Sequence, residues 1–238
     1  MNAETALAAV AIEAVGATVQ GTVGFGINLI VAPFLVLIDP RFAPGPVVLA
    51  GMVGSFFITW RERGTLDRPT VGWALLGRLP GTVLGTLVVT LTTAGKLRPM
   101  VGIAVLIGVA LTLPRRGIKR SRASLVGIGA VSGVMGTIAG LGGAPFGLIC
   151  HDLPAPVLRP TVSAFVAVGA ALSGIALILA GRLGGGALEL TAFLLPGVGL
   201  GFALSTKLLG KVDQRFVRVG VLIIATAGGL AAVLSGLT

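Results

Sequence analysis

Ten apolar runs, separated by short polar or glycine-rich segments, constrain this 238-residue chain more than any other feature. A helix rises 1.5 Å per residue and needs about 20 apolar residues to cross a hydrocarbon core of about 30 Å. Charged residues make up 11% of the chain, whereas soluble domains carry about 25%. The pattern predicts an all-α, polytopic integral membrane protein with about eight crossings of the lipid bilayer. The runs fall at residues 5 to 20, 27 to 38, 45 to 60, 69 to 93, 98 to 113, 124 to 139, 145 to 151, 157 to 180, 187 to 208 and 216 to 236.

Basic residues outnumber acidic ones by 18 to 8, but their positions argue against a nucleic-acid partner. They cluster at the ends of apolar runs, where they orient spans in a membrane, and the clusters at residues 61–68 and 115–122 contain no aromatic residues to stack on bases. The single cysteine, Cys150, excludes an intrachain disulfide and a cysteine-based zinc site. We therefore expect no metal and no cofactor. The first residues lack the basic segment of a signal peptide, so the first apolar run is expected in the mature protein.

Two of the apolar runs, 27 to 38 and 145 to 151, are too short to cross a bilayer. Each follows a glycine cluster, at residues 24 to 26 in the first case and 140 to 143 in the second. A short helix after a glycine break is typical of a re-entrant or broken element, which occurs at membrane depth only inside protein or beside a water-filled cavity.

The two glycine breaks are part of an internal repeat with an offset of 116 residues. Leu-Pro-Gly at 79 to 81 recurs at 195 to 197, and the Leu-Gly pair that follows at 84 to 85 recurs at 200 to 201. We therefore predict a first repeat over residues 1–114, a basic linker over 115–123 and a second repeat over 124–238.

Charge distribution predicts the topology of the two repeats. The linker is rich in Lys and Arg and is expected on the cytoplasmic side. Each repeat then contains one broken hairpin and three spans, an odd number of crossings, so the second repeat is inverted and both termini lie outside. The predicted cytoplasmic side collects thirteen basic residues, Arg61, Arg63, Arg68, Arg115, Arg116, Lys119, Arg120, Arg122, Arg159, Lys207, Lys211, Arg215 and Arg218. The outer side collects four, Arg41, Lys96, Arg98 and Arg182.

Paired broken helices in inverted repeats predict a substrate site where the breaks meet, near the bilayer midplane. The short helices are expected to begin near Ile27 and Pro145, and their free N–H groups and positive dipole ends favour an anion. The alternative is that the glycines only allow close helix packing, which we prefer for Gly51, Gly54, Gly102 and Gly108. The candidate ligands at the breaks are Gln20, Thr22, Gly24, Gly26, Asn28, Thr137, Gly140, Gly142, Gly143 and Pro145.

Arg78 is the one basic residue that lies deep inside a predicted span, about ten residues into the run 69 to 93. An arginine at the bilayer centre costs roughly 2.5 to 3.5 kcal/mol on insertion scales, so something must compensate for it. The sequence leaves two interpretations open: Arg78 binds an oxyanion in the cavity, or it pairs with Glu13, which lies at a similar depth in the first run.

His151 and Asp152 close the second hairpin, and histidine changes charge most readily near neutral pH. They are candidates for proton coupling, although a solvated hairpin end near the cytoplasmic surface is the interpretation that we prefer. Arg159 is a candidate gate or electrostatic funnel, or only a flanking residue that sets orientation.

The two breaks carry a resemblance to a known family. Residues 24 to 33, Gly-Phe-Gly-Ile-Asn-Leu-Ile-Val-Ala-Pro, and residues 140 to 145, Gly-Leu-Gly-Gly-Ala-Pro, resemble the two glycine-rich signatures of the TauE/SafE sulfite exporter family. The second motif is the more specific. In the first, the family often has further glycines where this chain has Ile27 and Asn28. The resemblance implies an inner-membrane carrier that exports sulfite, sulfonates such as sulfoacetate, or related small sulfur-containing anions.

Three classes of function remain to be separated. A secondary carrier that works by alternating access is the first, and a passive anion channel with re-entrant loops is the second. A membrane-embedded enzyme is the third and the weakest, because the chain has no Gly-x-Ser-x-Gly motif and its only histidine adjoins no serine nucleophile. Whether the carrier forms a homodimer is left open.

Overall fold

The computed structural model describes residues 3–24, 26–113 and 118–236, and within these residues the fold is entirely helical. Every α-helix begins and ends within three residues of the ends of a predicted apolar run, so the all-α prediction is confirmed. The helices are α1 (Ala3–Val23), α2 (Ile27–Ile38), α3 (Gly45–Glu62), α4 (Arg68–Leu91), α5 (Leu97–Thr112), α6 (Arg122–Ala139), α7 (Gly143–Ile149), α8 (Ala155–Leu179), α9 (Gly185–Leu208) and α10 (Gln214–Leu234).

Among the described residues, six helices are long and apolar enough to cross a membrane: α1, α4, α6, α8, α9 and α10. Their outer faces carry large apolar side chains that no other part of the chain covers, such as Leu91, Leu179 and Phe216. A soluble protein would bury these side chains, whereas in a bilayer they contact lipid. The chain is therefore a multi-pass membrane protein.

Small residues bring the helices of the two predicted repeats into close contact. The most extensive packing joins α4 to α6 and α1 to α9, and each pair takes one helix from each repeat. A Cβ atom at Gly77 would overlap the carbonyl oxygen of Val126, and one at Gly197 would lie 2.5 Å from the carbonyl oxygen of Val10. The helix backbones touch at these crossings, as is common in membrane proteins.

Helix boundaries recur at the offset seen in the sequence. Helices α1 and α6 end at Val23 and Ala139, and α2 and α7 begin at Ile27 and Gly143, so that both pairs of boundaries are 116 residues apart. Helices α1 to α5 correspond in order to α6 to α10. If each helix is exchanged for its counterpart, the α4–α6 contact becomes the α9–α1 contact, and the α3–α8 and α5–α10 contacts are unchanged. The contacts are thus compatible with a two-fold arrangement, while the inverted orientation of the second repeat stays a prediction.

Each broken hairpin begins and ends at the same side of the molecule. Ala3 at the start of α1 and Pro40 after α2 line one common vestibule. At the second hairpin, Arg120 before α6 donates from Nη2 to Asp152 after α7 at 2.9 Å, and its Nη1 lies 3.4 Å from the carboxylate of Asp67. Helix α4 is about 36 Å long and begins directly after Asp67. Beyond the other end of α4, a short loop leads to Leu97, which lines the vestibule. The two hairpins therefore open at opposite ends.

Candidate functional site

The two glycine breaks lie against each other in the structure. Gly26 precedes α2 in the left-handed conformation, with φ of 101°, which favours glycine because a Cβ atom is disfavoured there. Directly after this turn, the side-chain amide of Asn28 donates from Nδ2 to the carbonyl oxygen of Gly140 at 2.9 Å. A side chain of the first break is thus anchored on the backbone of the second.

A small cavity lies between the two breaks. Its volume is about 20 Å³, and its lining includes Gln20, Gly26, Asn28, Gly140 and Gly143. Gln20 Oε1 and Asn28 Oδ1 are buried and accept no hydrogen bond from the described residues. A space of this size holds about one water molecule. The cavity is therefore too small for an oxyanion, which requires it to widen.

Arg78 lies beside the second break in a cradle of glycines. The residue is 1% exposed, and Cβ atoms added at Gly136, Gly142 and Gly169 would each overlap a guanidinium nitrogen. Its guanidinium carbon lies 5.1 Å from the centre of the Phe165 ring, within the range of a cation–π contact. Nε and Nη1 donate no hydrogen bond within the described part of the chain. The site thus holds a buried cation with unused donors.

Arg78 and Glu13 do not form an ion pair. Both carboxylate oxygens of Glu13 are buried and without a hydrogen-bond partner among the described residues. Glu13 lies instead on the face of α1 that packs against α9, where a Cβ atom added at Gly197 would be 2.9 Å from the Cβ atom of Glu13. The pairing interpretation of Arg78 therefore finds no support in the contacts.

Other predicted ligands are engaged in contacts within the protein. Gln20 donates from Nε2 to Ser55 Oγ at 2.7 Å, and Thr137 shares a hydrogen bond of 2.8 Å with Ser173. The hydroxyl of Thr22 lies within hydrogen-bond distance of carbonyl oxygens of its own helix, at Thr18 and Val19. Gln20 and Thr137 therefore tie the break regions to α3 and α8, whereas Thr22 points back along α1.

The second short helix begins earlier than expected. Helix α7 starts at Gly143 rather than near Pro145 and spans seven residues. Pro145 is its third residue, which costs no hydrogen bond because the N–H groups of the first turn lack partners within the helix. The motif residue Phe25 and the linker residues 114–117, which include Arg115 and Arg116, lie outside the described residues.

His151 and Asp152 are exposed at the end of the second hairpin. Asp152 accepts a hydrogen bond from Arg120, as described above, and neither residue lines the break cavity. Their placement favours the solvated hairpin end over a role at the site, although proton coupling by these two residues stays an untested prediction.

An ion-pair cluster lies beside the first break, and the sequence did not predict it. Glu62 accepts from Arg61 Nη2 at 2.6 Å and from Arg159 Nε at 2.9 Å. Arg61 Nη2 also donates to the carbonyl oxygen of Gly21 at 3.1 Å, and a Cβ atom at Gly24 would lie 2.7 Å from Arg159 Cγ. Of these residues, the sequence analysis singled out only Arg159. In the sequence the arginines resemble ordinary flanking charges, because their pairing through Glu62 depends on the packing of α3 against α8.

The glycine cradle was also missed, although the repeat contains a signal for one part of it. At the offset of 116 residues, Gln20 of the first break corresponds to Gly136 of the second. The side chain that fills the first break is thus absent from the second, and the guanidinium of Arg78 lies there instead. No comparable signal marks Gly169 or Phe165, which α8 brings to the site.

An open vestibule lies at the opposite end from the ion-pair cluster. Its volume is about 1140 Å³, and Arg41, Arg182 and Glu189 contribute to its lining. Arg41 donates from Nε and Nη2 to Asp39, which lowers the pKa of that carboxyl below its usual value. The vestibule thus presents basic groups to solvent.

These features define a multi-pass helical membrane protein in which two helix breaks meet beside a buried, unpaired arginine. The chain belongs to the family described as Sulfite exporter TauE/SafE, whose model matches residues 8–232. Searches of curated proteins and of solved structures found no match. The resemblance noted in the sequence is thereby confirmed, and family membership implies a membrane transporter that exports sulfite or a related sulfur-containing anion.

Proposed function

We propose that the protein is a secondary carrier of the inner membrane that exports sulfite or a small organosulfonate such as sulfoacetate by alternating access. The anion is held near the bilayer midplane between the N-terminal ends of α2 and α7. The observation that carries this proposal is Arg78, which is 1% exposed and has two unpaired guanidinium nitrogens in a glycine cradle beside Gly142.

The environment of Arg78 favours an anionic ligand over a structural role. Arg78 is the eleventh of the 24 residues of α4, which places it near the middle of a span. A guanidinium buried there without a carboxylate lacks the pairing that normally compensates for lost hydration. Sulfite and sulfonates offer two oxygens to its planar fork of donors. The bound anion would supply the missing partner.

The repeat supports a site shared by both halves. The boundaries of α1 and α2 recur in α6 and α7 at 116 residues, and the hairpins open at opposite ends. Inverted repeats with broken helices at corresponding positions place their substrate sites between the repeats. The contact of Asn28 with Gly140 joins the two breaks at that point.

Access to the site is asymmetric in a way that fits a carrier. The vestibule of about 1140 Å³ is open at one end, while the cluster of Arg61, Glu62 and Arg159 joins α3 to α8 at the other. By the thirteen-to-four distribution of basic residues, the vestibule is periplasmic and the cluster cytoplasmic. We expect this structure to represent a state that is closed at the cytoplasmic end, in which the vestibule does not yet reach the cavity between the breaks, with both termini on the periplasmic side.

A passive anion channel is the alternative. A channel needs a continuous passage, and the space between the breaks measures only about 20 Å³. A site that must open and close around its ligand favours the carrier.

Transport by the reconstituted protein tests the proposal. Purified protein in lipid vesicles should move sulfite with a rate that saturates as its concentration rises, because each cycle carries a bound anion. Unlabelled sulfite on one side of the membrane should accelerate the movement of labelled sulfite from the other side. A flux that stays linear to high concentration, without counter-flow, would show a channel. Empty vesicles provide the baseline.

A further inference from the structure

A second charged residue is buried in the membrane-spanning region without a partner. Glu13 is the eleventh of the 21 residues of α1 and is 0% exposed. Neither of its carboxylate oxygens accepts a hydrogen bond from the described residues. Isolated ionised carboxylates in such surroundings are strongly disfavoured relative to the neutral acid.

The helices packed against α1 place no counter-charge on Glu13. Helix α2, which packs along α1, contains no titratable residue. On the other helices that contact α1, the charged side chains that the structure describes lie within five residues of a helix end, and none is bonded to Glu13. These are Arg61 and Glu62 on α3, Arg159 on α8, Glu189 and Lys207 on α9, and Arg218 on α10.

The position of Glu13 along α1 links the vestibule to the site. Ala6 lines the vestibule and Gln20 lines the cavity between the breaks. Ala6, Glu13 and Gln20 are spaced by seven residues and therefore share one face of the helix, about 10.5 Å apart at each step. Glu13 thus lies midway between the periplasmic opening and the proposed anion site.

We propose that Glu13 is a proton-binding site on the outer pathway and that its proton travels together with the anion. This inference rests on the proposed function. A proton from water on the cytoplasmic side binds a carboxylate oxygen of Glu13 when the site opens there, and it is released to water in the vestibule, in the same direction as the exported anion. An anion at Arg78 and an ionised Glu13 repel each other at low dielectric, so each bound anion favours a protonated Glu13. Transport of a monovalent anion is then electrically neutral.

The test uses methanesulfonate, whose charge does not change near neutral pH. In vesicles that contain a pH-sensitive dye, the wild type should move about one proton with each anion, since one carboxyl takes part, and the rate should be insensitive to membrane potential. Glu13→Gln keeps the shape of the side chain but binds no proton. It should retain anion flux, lose the accompanying pH change at least tenfold, and respond to membrane potential. Glu13→Asp should retain part of the proton movement.

Glu4→Gln is the matched control, because Glu4 is exposed in the first turn of the same helix. It should behave as the wild type. The proposal is overturned if Glu13→Gln carries protons as the wild type does, or if wild-type flux moves no protons.

Infrared spectroscopy tests the same site without transport. The carbonyl stretch of a protonated carboxylic acid should be present in the wild type and in Glu4→Gln and absent from Glu13→Gln. If the wild type moves neither sulfite nor methanesulfonate, the proposed carrier function fails, and the infrared band still decides whether Glu13 holds a proton. A wild-type spectrum without that band would contradict the proposed site.

Discussion

At the scale of single residues, the site is built as much from absent side chains as from present ones. The guanidinium of Arg78 fits only because positions 136, 142 and 169 are glycines. Its remaining contact, with the ring of Phe165, leaves Nε and Nη1 free. The same arginine in a tighter helix crossing would have displaced the backbone around it. The role of Arg78 therefore follows from its surroundings rather than from its charge alone.

Replacement of Arg78 should remove anion binding. Arg78→Ala deletes the charged donors, each worth about 1.5–3 kcal/mol, so the affinity should fall by about 10- to 100-fold or more. Arg78→Lys should retain part of the affinity, because it keeps the charge without the planar fork. Calorimetric titration of purified protein with sulfite, sulfate, thiosulfate and sulfoacetate measures this and also ranks the ligands. Arg63→Ala, which changes an exposed arginine, is the control.

The glycine cradle offers a second way to test the role of Arg78. A methyl group at Gly136 would overlap Nη2 of Arg78, whereas Gly127 on the same helix has no atom within 4 Å of the corresponding position. Gly136→Ala should therefore weaken anion binding, and Gly127→Ala should leave it unchanged. Equal affinities for the two variants would show that the anion does not use Arg78.

At the scale of helices, close backbone contacts determine which elements meet. Apolar runs and glycine breaks predicted the helix boundaries to within three residues, because both are local properties of the chain. They did not predict that α8 carries Gly169 and Phe165 to Arg78, or that Glu62 lies between Arg61 and Arg159. Those neighbours come from different helices, and their meeting depends on tertiary packing, which hydropathy and spacing do not encode.

The crossing of α4 and α6 should be sensitive to a single added methyl group. A Cβ atom at Gly81 would overlap the carbonyl oxygen of Ala130, which cannot rotate away, whereas Gly72 on the same helix has open space. Gly81→Ala should lower the free energy of unfolding by about 1–3 kcal/mol, and Gly72→Ala should lower it by much less or raise it. Thermal unfolding in detergent compares the two variants. Equal melting temperatures would mean that the helices separate more easily than their contacts indicate.

At the scale of the whole molecule, the two repeats are interlocked rather than placed side by side. The tightest contacts of α1 and α4 are with α9 and α6 of the other repeat. Both buried charges, Glu13 on α1 and Arg78 on α4, belong to the first repeat, but Arg78 lies against glycines of the second break. The two glycine breaks line the same small cavity. Movement of one repeat relative to the other would therefore alter both ends of the pathway together, as alternating access requires.

The proposed inversion predicts a specific labelling pattern. Gly64, after α3, and Gly184, after α8, are exposed and have no atom within 4 Å of an added Cβ. A cysteine at Gly184 should react with a membrane-impermeant maleimide in intact cells, whereas one at Gly64 should react only after the membrane is opened. The native Cys150 is buried and provides a low background. Labelling of both positions from the same side would rule out inverted repeats.

The interlocked packing also has a consequence for biosynthesis. In the finished chain, 161 residues separate the end of α1 at Val23 from the start of its main partner α9 at Gly185. On the ribosome, α1 therefore enters the bilayer long before α9 exists, and during that interval its Glu13 faces lipid or transient neighbours. Its length and apolar character must hold α1 in place against that cost. The nascent protein thus contains an unfinished polar surface that only its last quarter can cover.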